Sequence, residues 1–305
     1  MTRQKIIDLL AMSRFANLPT VWSNGLLGVL VGWSLFREQA HLGPLPLTLL
    51  GLALSCLYLG GCFFNDWHDL DFDQKTRPDR PIPSGRWPRQ TILLLAVLLM
   101  AGGLAITALV SLPATLFSAA IIVCILAYTK WHKIHPASFL FMAGARAFIY
   151  PAAAFSLLDW PQFTSLPENP SFFFILFGLG LGSYILGISL TARAETSPDP
   201  LGEVKKNLPV LFLCSPILFF SVPLLIGKNG FALPPLLLFV AVTAFSVRSL
   251  RSTHNVGAFV SRTLAAIPLV DFLLVFPLAP HPIFWIICPA LALGALALQK
   301  IAPAT

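Results

Sequence analysis

The chain has 305 residues, of which 56% are hydrophobic and only 11% are charged, and its formal net charge is +7. So apolar a composition excludes an ordinary soluble domain and indicates a polytopic membrane protein. The basic residues are spread over several short segments between apolar runs, with no soluble domain to carry a nucleic-acid surface. We therefore expect the lipid bilayer as the surrounding medium and no nucleic acid as a partner.

Ten apolar segments are long enough to cross a bilayer as helices. They lie at residues 17–36, 45–64, 90–110, 113–129, 138–158, 171–192, 208–227, 231–247, 258–277 and 282–298. The pattern predicts an all-α bundle of about nine to ten transmembrane helices around a central cavity. We expect residues 1–305 to form one domain, since no soluble segment interrupts the series.

The distribution of Lys and Arg predicts how the bundle is oriented. With both termini inside, sixteen basic residues fall in inner segments and only Arg37 and Lys228 fall in outer ones. Cytoplasmic loops carry the excess of Lys and Arg, so this bias supports an even number of spans. It places the polar loops at residues 65–89 and 193–207 on the cytoplasmic face, where we expect the active site.

The second apolar segment ends in a cluster of oxygen-bearing side chains. Four of them share an arc of about 100° on a helix: Asn65, Asp66, Asp69 and Asp73. Asp71 projects away from that arc. Clustered carboxylates repel one another unless a cation lies between them, and carboxylate with carboxamide oxygens suits Mg²⁺ or Mn²⁺. The basic run that follows, with Arg77 and Arg80, supplies charge for a phosphate group.

These residues resemble the first aspartate-rich motif of the UbiA superfamily of intramembrane prenyltransferases, in the pattern Asn65-Asp66-x-x-Asp69-x-x-x-Asp73 followed by Arg77-Pro78-x-Arg80-Pro81-Ile82-Pro83-Ser84-Gly85. Three further segments support the resemblance: Arg14-x-x-Asn17-x-Pro19-Thr20, Tyr128-Thr129-Lys130 and Gly144-Ala145-Arg146-Ala147. The Arg-Pro-rich loop and the Gly-x-Arg pattern look most like the EboC-like branch.

The resemblance implies a helical membrane enzyme, usually of nine spans, that uses Mg²⁺ to ionise an isoprenyl diphosphate. The prenyl group then passes to an aromatic or other lipophilic acceptor, whose identity the sequence does not give. In this reading Asp66, Asp69 and Asp73, aided by Asn65, hold the metal on the diphosphate. Arg77 and Arg80 neutralise the charge that grows as the allylic C–O bond breaks.

The second aspartate motif of the superfamily is degenerate in this chain. Where typical members carry further aspartates, residues 190–200 retain only Glu195 and Asp199, with Pro198 between them. Proline interrupts helical geometry, so these two carboxylates are not expected on one face. One face of the preceding helix instead carries Tyr184, Ile188, Thr191 and Glu195. Either one metal is lost, or Glu195 alone holds it and Arg193 compensates charge at the diphosphate.

Further polar residues within the spans are candidates for the cavity wall. A guanidinium inside a span is costly unless it faces a partner or a watery cavity, so we expect Arg146 to face the cavity and act in catalysis. Asn17 and Asn24 are seven residues apart on one helical face, although helix-to-helix hydrogen bonding explains them almost as well. The remaining candidates for substrate contact are Tyr128, Lys130 and Tyr184. The role of Asp271 stays open.

Two functions remain at this stage. The first is transfer of an isoprenyl group from an allylic diphosphate. The second is a non-catalytic binder or transporter of an isoprenoid or related amphiphile, which retains only the first aspartate motif. Release of diphosphate from an allylic substrate separates the two.

Overall fold

The computed structural model describes residues 3–38, 40, 43–166, 171–194, 203–227, 233–275 and 282–302. Within those ranges the regular structure is helical, as the composition predicted. In chain order the α-helices are α1 (Arg3–Met12), α2 (Leu18–Phe36), α3 (Pro44–His68), α4 (Leu70–Thr76), α5 (Arg89–Val110), α6 (Leu112–Trp131), α7 (Phe139–Ala147), α8 (Ile149–Phe155), α9 (Trp160–Thr164), α10 (Ser171–Ala194), α11 (Glu203–Cys214), α12 (Pro216–Gly227), α13 (Leu233–Thr253), α14 (Val256–Ala265), α15 (Ile267–Val275) and α16 (Phe284–Leu298).

Six apolar stretches in the described part of the chain are long enough to cross a membrane. They are Pro44–His68, Arg89–Val110, Leu112–Trp131, Phe172–Ala192, Leu233–Thr253 and Val256–Val275. Shorter apolar helices cover Phe139–Phe155, Leu208–Ser221 and Phe284–Leu298. The chain is therefore an integral membrane protein, and the exact number of spans stays a prediction.

Three of the expected continuous spans are broken helices. The segment 138–158 divides into α7 and α8 at Phe148, the segment 208–227 divides at Ser215, and the segment 258–277 divides at Ala266. Each break comes one to three residues before a proline, which lacks an N–H for the helical ladder and disfavours helical geometry at the preceding residue. The prolines are Pro151, Pro216 and Pro268.

Small residues let the helices of the bundle approach closely. A Cβ on Gly28 would lie 2.5 Å from the carbonyl oxygen of Tyr150, so α2 and α8 are in backbone contact. A Cβ on Gly32 would lie 2.7 Å from the carbonyl oxygen of Ala154, one turn further along the same pair. These contacts fix α2 against α8, which brings the polar side chains of α2 next to Arg146 at the end of α7.

The centre of the bundle is formed by α15, in which every residue from Ile267 to Val275 is buried, including Asp271. It packs against α2, α12, α13 and α16. An ionisable residue in such a place needs polar partners. Those partners come from α2 and α8, as described below.

Helix α1 lies against the loop that connects α4 to α5. The buried carboxylate of Asp8 accepts a hydrogen bond from Arg86 Nε at 2.9 Å, and Lys5 lies over the ring of Trp87. Arg14, between α1 and α2, has φ 47 and ψ 44, a left-handed conformation that is uncommon outside glycine. The bend points the Arg14 side chain toward the end of α3.

Candidate active site

The aspartate motif lies where α3 ends and α4 begins. Although α3 ends at His68, the N–H of Asp69 still donates to Asn65 O and the N–H of Asp73 donates to Asp69 O, both at 2.9 Å. The motif therefore keeps helical spacing across the junction. As that spacing predicted, the side chains of Asp66, Asp69 and Asp73 are buried whereas Asp71 is exposed.

Two of the carboxylates converge on one arginine. Arg80 Nη1 lies 2.8 Å from Asp73 Oδ2 and 3.8 Å from Asp66 Oδ1. Arg14 Nη2 donates to the same Oδ1 of Asp66 at 3.0 Å. Asp66 and Asp73 therefore have oxygens near a common point, and that point attracts positive charge.

The third carboxylate belongs to a separate cluster. Lys133 Nζ lies 2.6 Å from Asp69 Oδ1, while His132 Nε2 lies 3.3 Å from Asp69 Oδ2. Asn65 Nδ2 donates to Oδ2 at 3.2 Å. Burial raises the pKa of Asp69, but the hydrogen bonds and charges of His132 and Lys133 outweigh it and hold this pKa well below its usual range. Asp69 is therefore ionised at neutral pH.

The donor set has the chemistry of a site for a hard cation. Three buried carboxylates lie within one short segment, and the carboxamide oxygen Oδ1 of Asn65 is buried with no hydrogen-bond partner. Oxygen donors of this kind suit Mg²⁺ or Mn²⁺. Within the described ranges, no three His, Cys, Asp or Glu side chains come close enough together to hold one metal ion. The carboxylates are paired with basic side chains instead.

A cavity of about 400 Å³ opens beside the motif. Its polar lining consists of Arg14, Asn17, Tyr58, Cys62, Asn65, Tyr128, Thr129, Arg146 and Ser189. Its apolar lining includes Leu54, Leu57, Ile121, Ile125, Ile149, Ile185, Ile188, Val260, Leu264 and Ile267. The chain thus combines an ionic cluster with an adjoining apolar space, the combination that an amphiphile with a charged head requires.

A second polar network lies deeper in the bundle. Arg146 Nη1 donates to Thr20 Oγ1 at 3.0 Å and to Asn24 Oδ1 at 3.2 Å. Asn24 Nδ2 in turn donates to both carboxylate oxygens of Asp271, at 3.0 and 2.9 Å. Tyr150 and Ser23 also donate to Asp271. The network joins α2, α7, α8 and α15.

The structure places some of the predicted site residues at the cavity and others elsewhere. Arg146, Asn17, Asn65 and Tyr128 line it. Asn24 is fully buried and does not line the cavity, but its Oδ1 accepts a hydrogen bond from Arg146, which does. Helical phase alone grouped Asn17 with Asn24, but Asn24 faces Asp271.

Tyr184 and Lys130 point away from the cavity, against expectation. The fully buried hydroxyl of Tyr184 donates to the carbonyl of Thr263 at 2.9 Å, and its ring packs against Phe239. Of the predicted face of α10, Ile188 does line the cavity, beside Ile185, Ser189 and Ala192. Lys130 is exposed and lies over the ring of Trp131, because its position on α6 faces outward.

The remaining predicted residues lie at the edge of what the structure describes. Arg77 is exposed beside the motif, and it makes no ion pair with a described carboxylate. Arg193 lies in the last turn of α10. Glu195 and Asp199, the carboxylates of the degenerate second motif, lie outside the described residues.

Three basic residues at the carboxylates were not selected from the sequence. Arg14 was quoted only as part of the opening motif, and His132 and Lys133 follow the Tyr128-Thr129-Lys130 segment in a short loop. The separation of 52 residues between Arg14 and Asp66 hides their pairing in a single sequence. A signal did exist for Lys133, since two lysines lie close to the C-terminal end of α6.

A family model described as the UbiA prenyltransferase family matches residues 25–262, well over half of the chain. The chain belongs to the UbiA prenyltransferase family. Members of this family are prenyltransferases and generally use a divalent metal. The resemblance of the aspartate motif to this superfamily is thereby confirmed.

Several curated relatives are also prenyltransferases by name. Digeranylgeranylglyceryl phosphate synthase of Saccharolobus solfataricus is 27% identical over 271 residues, covering 85% of this chain and 93% of that protein. A protein of the same name from Thermococcus gammatolerans is 35% identical over 120 residues, 38% of this chain and 41% of that one. Protoheme IX farnesyltransferase of a Picosynechococcus species is 30% identical over 172 residues, 52% and 48% respectively. This chain spans less than half of the latter two proteins.

Solved structures show the same fold. A UbiA homolog from Aeropyrum pernix K1 superposes with a TM-score of 0.64 at 15% identity, covering 90% of this chain and 98% of that one. A structure described as digeranylgeranylglyceryl phosphate synthase gives a TM-score of 0.59 at 15% identity, covering 97% and 100%. The UbiA fold thus extends over nearly the whole chain.

Proposed function

We propose that this protein transfers an isoprenyl group from an allylic isoprenyl diphosphate to an acceptor within the membrane, with Mg²⁺ as the metal and Mn²⁺ as a substitute. The observation that carries the proposal is the position of three buried aspartates, each paired with a basic side chain, beside an apolar cavity. The names of the relatives, which include a farnesyltransferase, support the same reaction class. We propose one domain for residues 1–305, with the site on the cytoplasmic face.

The diphosphate would take the place that basic side chains now share with the aspartates. Arg14, Arg80 and Lys133 each contact a motif carboxylate, so they surround the region where a polyanion and its metal would lie. Asp66, Asp69 and Asp73, with the unpaired carboxamide oxygen of Asn65, would hold Mg²⁺, which supplies charge stabilisation to the diphosphate oxygens. The three basic residues would then turn from carboxylate to phosphate oxygens. Arg77 would add charge at the exposed edge of this site. Arg193 is proposed from the sequence alone to compensate charge at the diphosphate.

The apolar part of the cavity would hold the first isoprene units of the prenyl chain. Ile125 lies against Gly61 near the polar mouth, where it would exclude water from the allylic carbon, and Leu57 and Leu54 line the cavity further along α3. A site without bulk water strengthens the interaction of Arg80 and Lys133 with the leaving group and protects the allylic cation from hydrolysis.

The reaction breaks the allylic C–O bond and releases diphosphate with the bonding electron pair. The acceptor supplies the electron pair for the new bond to the allylic carbon and loses one proton. Tyr128 and Asn17 line the cavity near this point and are proposed to contact the substrates. Glu195 is proposed as a further metal ligand from its position in the sequence alone.

Diphosphate release tests the proposal. The full chain in lipid nanodiscs would be given geranylgeranyl diphosphate, Mg²⁺ and a lipid extract as the source of acceptor. We expect metal-dependent release of diphosphate, a loss of at least about 100-fold in Asp66→Asn, and a change of less than about threefold in the exposed Asp71→Asn control. Metal-dependent binding of the diphosphate without any release would overturn the enzyme and leave a non-catalytic isoprenoid binder.

A further inference from the structure

Arg262 lies on the side of α14 that faces away from the cavity. Val260 and Leu264 line the cavity, and at about 100° per residue they share one face of the helix. Arg262 falls on the opposite face. Its guanidinium carbon lies 5.4 Å from the ring centre of Phe245 on α13, and Phe245 is 63% exposed. Arg262 therefore lies on the lipid-facing surface of the bundle, in the groove between α13 and α14.

This arginine belongs to an apolar stretch. Val256–Val275 is one of the six stretches that are long enough to cross a membrane, and Asn255 caps α14 by accepting from the N–H of Ala258. Arg262 follows this cap by seven residues, or about 10 Å along the helix axis. A lipid-facing guanidinium at that depth is costly unless its long side chain reaches the interface or it meets an anion.

The neighbouring helices supply no carboxylate for Arg262. The sequence contains no Asp or Glu between Glu203 and Asp271, and none after Asp271. Asp271 lies nine residues further along the chain, and its oxygens accept hydrogen bonds in the polar network at the centre of the bundle. Among the described residues, no carboxylate forms an ion pair with Arg262. An anion for this charge has to come from outside the described side chains.

A second arginine lies level with the first in the same groove. Helices α13 and α14 pack together and are joined by only two residues, since α13 ends at Thr253 and α14 begins at Val256. Arg248 precedes that end by five residues, and Arg262 follows that beginning by six. At 1.5 Å per residue, the two arginines are level to within about 2 Å along the helix pair. Arg248 is exposed, and it follows Phe245 by three residues on the same side of α13.

The surface beside the two arginines is apolar. Ala241 and Leu238 precede Phe245 by four and seven residues on α13, so the three side chains share one face of the helix. All three are exposed. A hydrocarbon chain that runs from the arginines toward the middle of the membrane would contact this face.

We propose that Arg248 and Arg262 bind the phosphate of an anionic phospholipid in the groove between α13 and α14. The site is separate from the cavity and does not depend on the proposed function. Two guanidinium groups donate well to a phosphate, and basic groups between transmembrane helices bind lipid headgroups. A zwitterionic headgroup also carries an ammonium group, and α13 and α14 contain no carboxylate to receive it. The charge of the groove therefore favours a headgroup with net negative charge.

Lipid binding to the full chain tests this inference without turnover. The purified protein in detergent would be titrated with phosphatidylglycerol or with phosphatidylcholine of the same acyl chains, and bound lipid would be counted by native mass spectrometry. We expect the wild type to bind the first phosphatidylglycerol at least about fivefold more tightly, since one basic residue near the membrane surface contributes about that factor. Equal affinity for the two lipids would overturn the proposal.

Variants locate the preference. Arg248→Gln and Arg262→Gln should each weaken phosphatidylglycerol binding by about fivefold and leave phosphatidylcholine binding unchanged. Arg262→Lys keeps the charge and should keep part of the preference, which guards against a folding defect in Arg262→Gln. Arg89→Gln is the matched control, because Arg89 is also exposed and lies over an aromatic ring, that of Trp67. An unchanged preference in both glutamine variants of the groove, or an equal loss in Arg89→Gln, would contradict the assignment.

Competition separates a lipid headgroup from a free phosphate. In a further titration, millimolar inorganic phosphate should leave phosphatidylglycerol bound, because the acyl chains add the burial of hydrocarbon to the charge pairing. Displacement of the lipid by inorganic phosphate would overturn the lipid assignment and leave a site for soluble anions.

Discussion

Lys133 Nζ lies 2.6 Å from Oδ1 of Asp69, so the loop after α6 is joined to the end of α3 by an ion pair at the edge of the cavity. The pair brings a cationic side chain to the place where a diphosphate is proposed to bind. Lys130, three residues earlier, is exposed and faces Trp131. The two lysines therefore form a natural comparison.

Lys133→Met should lower kcat/KM for the allylic diphosphate by about 10- to 100-fold, because the variant loses one charge that stabilises the leaving group. Lys130→Met should change it by less than about threefold. Diphosphate release at low substrate concentration measures both. A larger effect at Lys130 than at Lys133 would reverse the assignment of the two lysines.

Asp69 should make a contribution to stability that depends on pH. Its pKa in the folded protein is lower than its ordinary value, so the stabilisation is complete above the ordinary value and is lost as the pH falls through the range below about 4. In a metal-free buffer, the difference in Tm between wild type and Asp69→Asn should shrink as the pH falls from about 5 to about 2, because the carboxylate is protonated over that range. A difference that stays undiminished down to about pH 2 would contradict an ionised Asp69 held by His132 and Lys133.

Gly32→Ala should destabilise the protein by about 1 to 3 kcal/mol, as expected for an overpacked contact. The added Cβ would lie 2.7 Å from the carbonyl oxygen and 2.8 Å from the Cα of Ala154, and neither backbone atom has room to move. Gly102 on α5 is the control, since a Cβ there meets nothing within 4 Å. Gly102→Ala should be neutral or stabilising by up to about 1 kcal/mol. Thermal unfolding in detergent compares them, and equal Tm values would refute the close approach of α2 and α8.

Cysteine labelling checks the orientation. In a variant that lacks the five native cysteines, Ser84→Cys should be shielded from a membrane-impermeant thiol reagent added to intact cells, because the charge bias places its loop inside. Ser165→Cys, after α9, should react. Both serines are exposed, so accessibility differs only through the membrane. Labelling of the first and protection of the second would place the aspartate motif on the opposite face.

Local patterns in the sequence were sufficient for the aspartate motif and the helical fold. Apolar length located the helices, and the spacing of Asp66, Asp69 and Asp73 separated them correctly from the exposed Asp71. Both signals depend only on residues within one helix. The cost of a charge in lipid likewise indicated that Arg146 faces a cavity or a polar partner, and it has both.

Relations between distant segments were beyond the sequence. Asn24 and Asp271 are 247 residues apart. No pattern of residues within one helix indicates that α2 supplies the hydrogen-bond partner of the Asp271 carboxylate. The position of Tyr184 was also misassigned, because its hydroxyl donates to the carbonyl of Thr263 on a neighbouring helix and does not reach the cavity. The helix breaks after α7, α11 and α14 lie close to prolines, and whether a proline breaks a helix depends on the tertiary packing around it.

The polar residues that line the cavity are unevenly distributed along the chain. Apart from Ser189, every described polar side chain that lines it comes from residues 14–146, whereas α10, α14 and α15 contribute mainly aliphatic side chains such as Ile188, Val260 and Ile267. The described polar lining is therefore concentrated in the first half of the chain, whereas both halves contribute to the apolar lining. A hybrid that joins the first half of this chain to the second half of a relative should keep the polar wall of this cavity and exchange only part of its apolar wall.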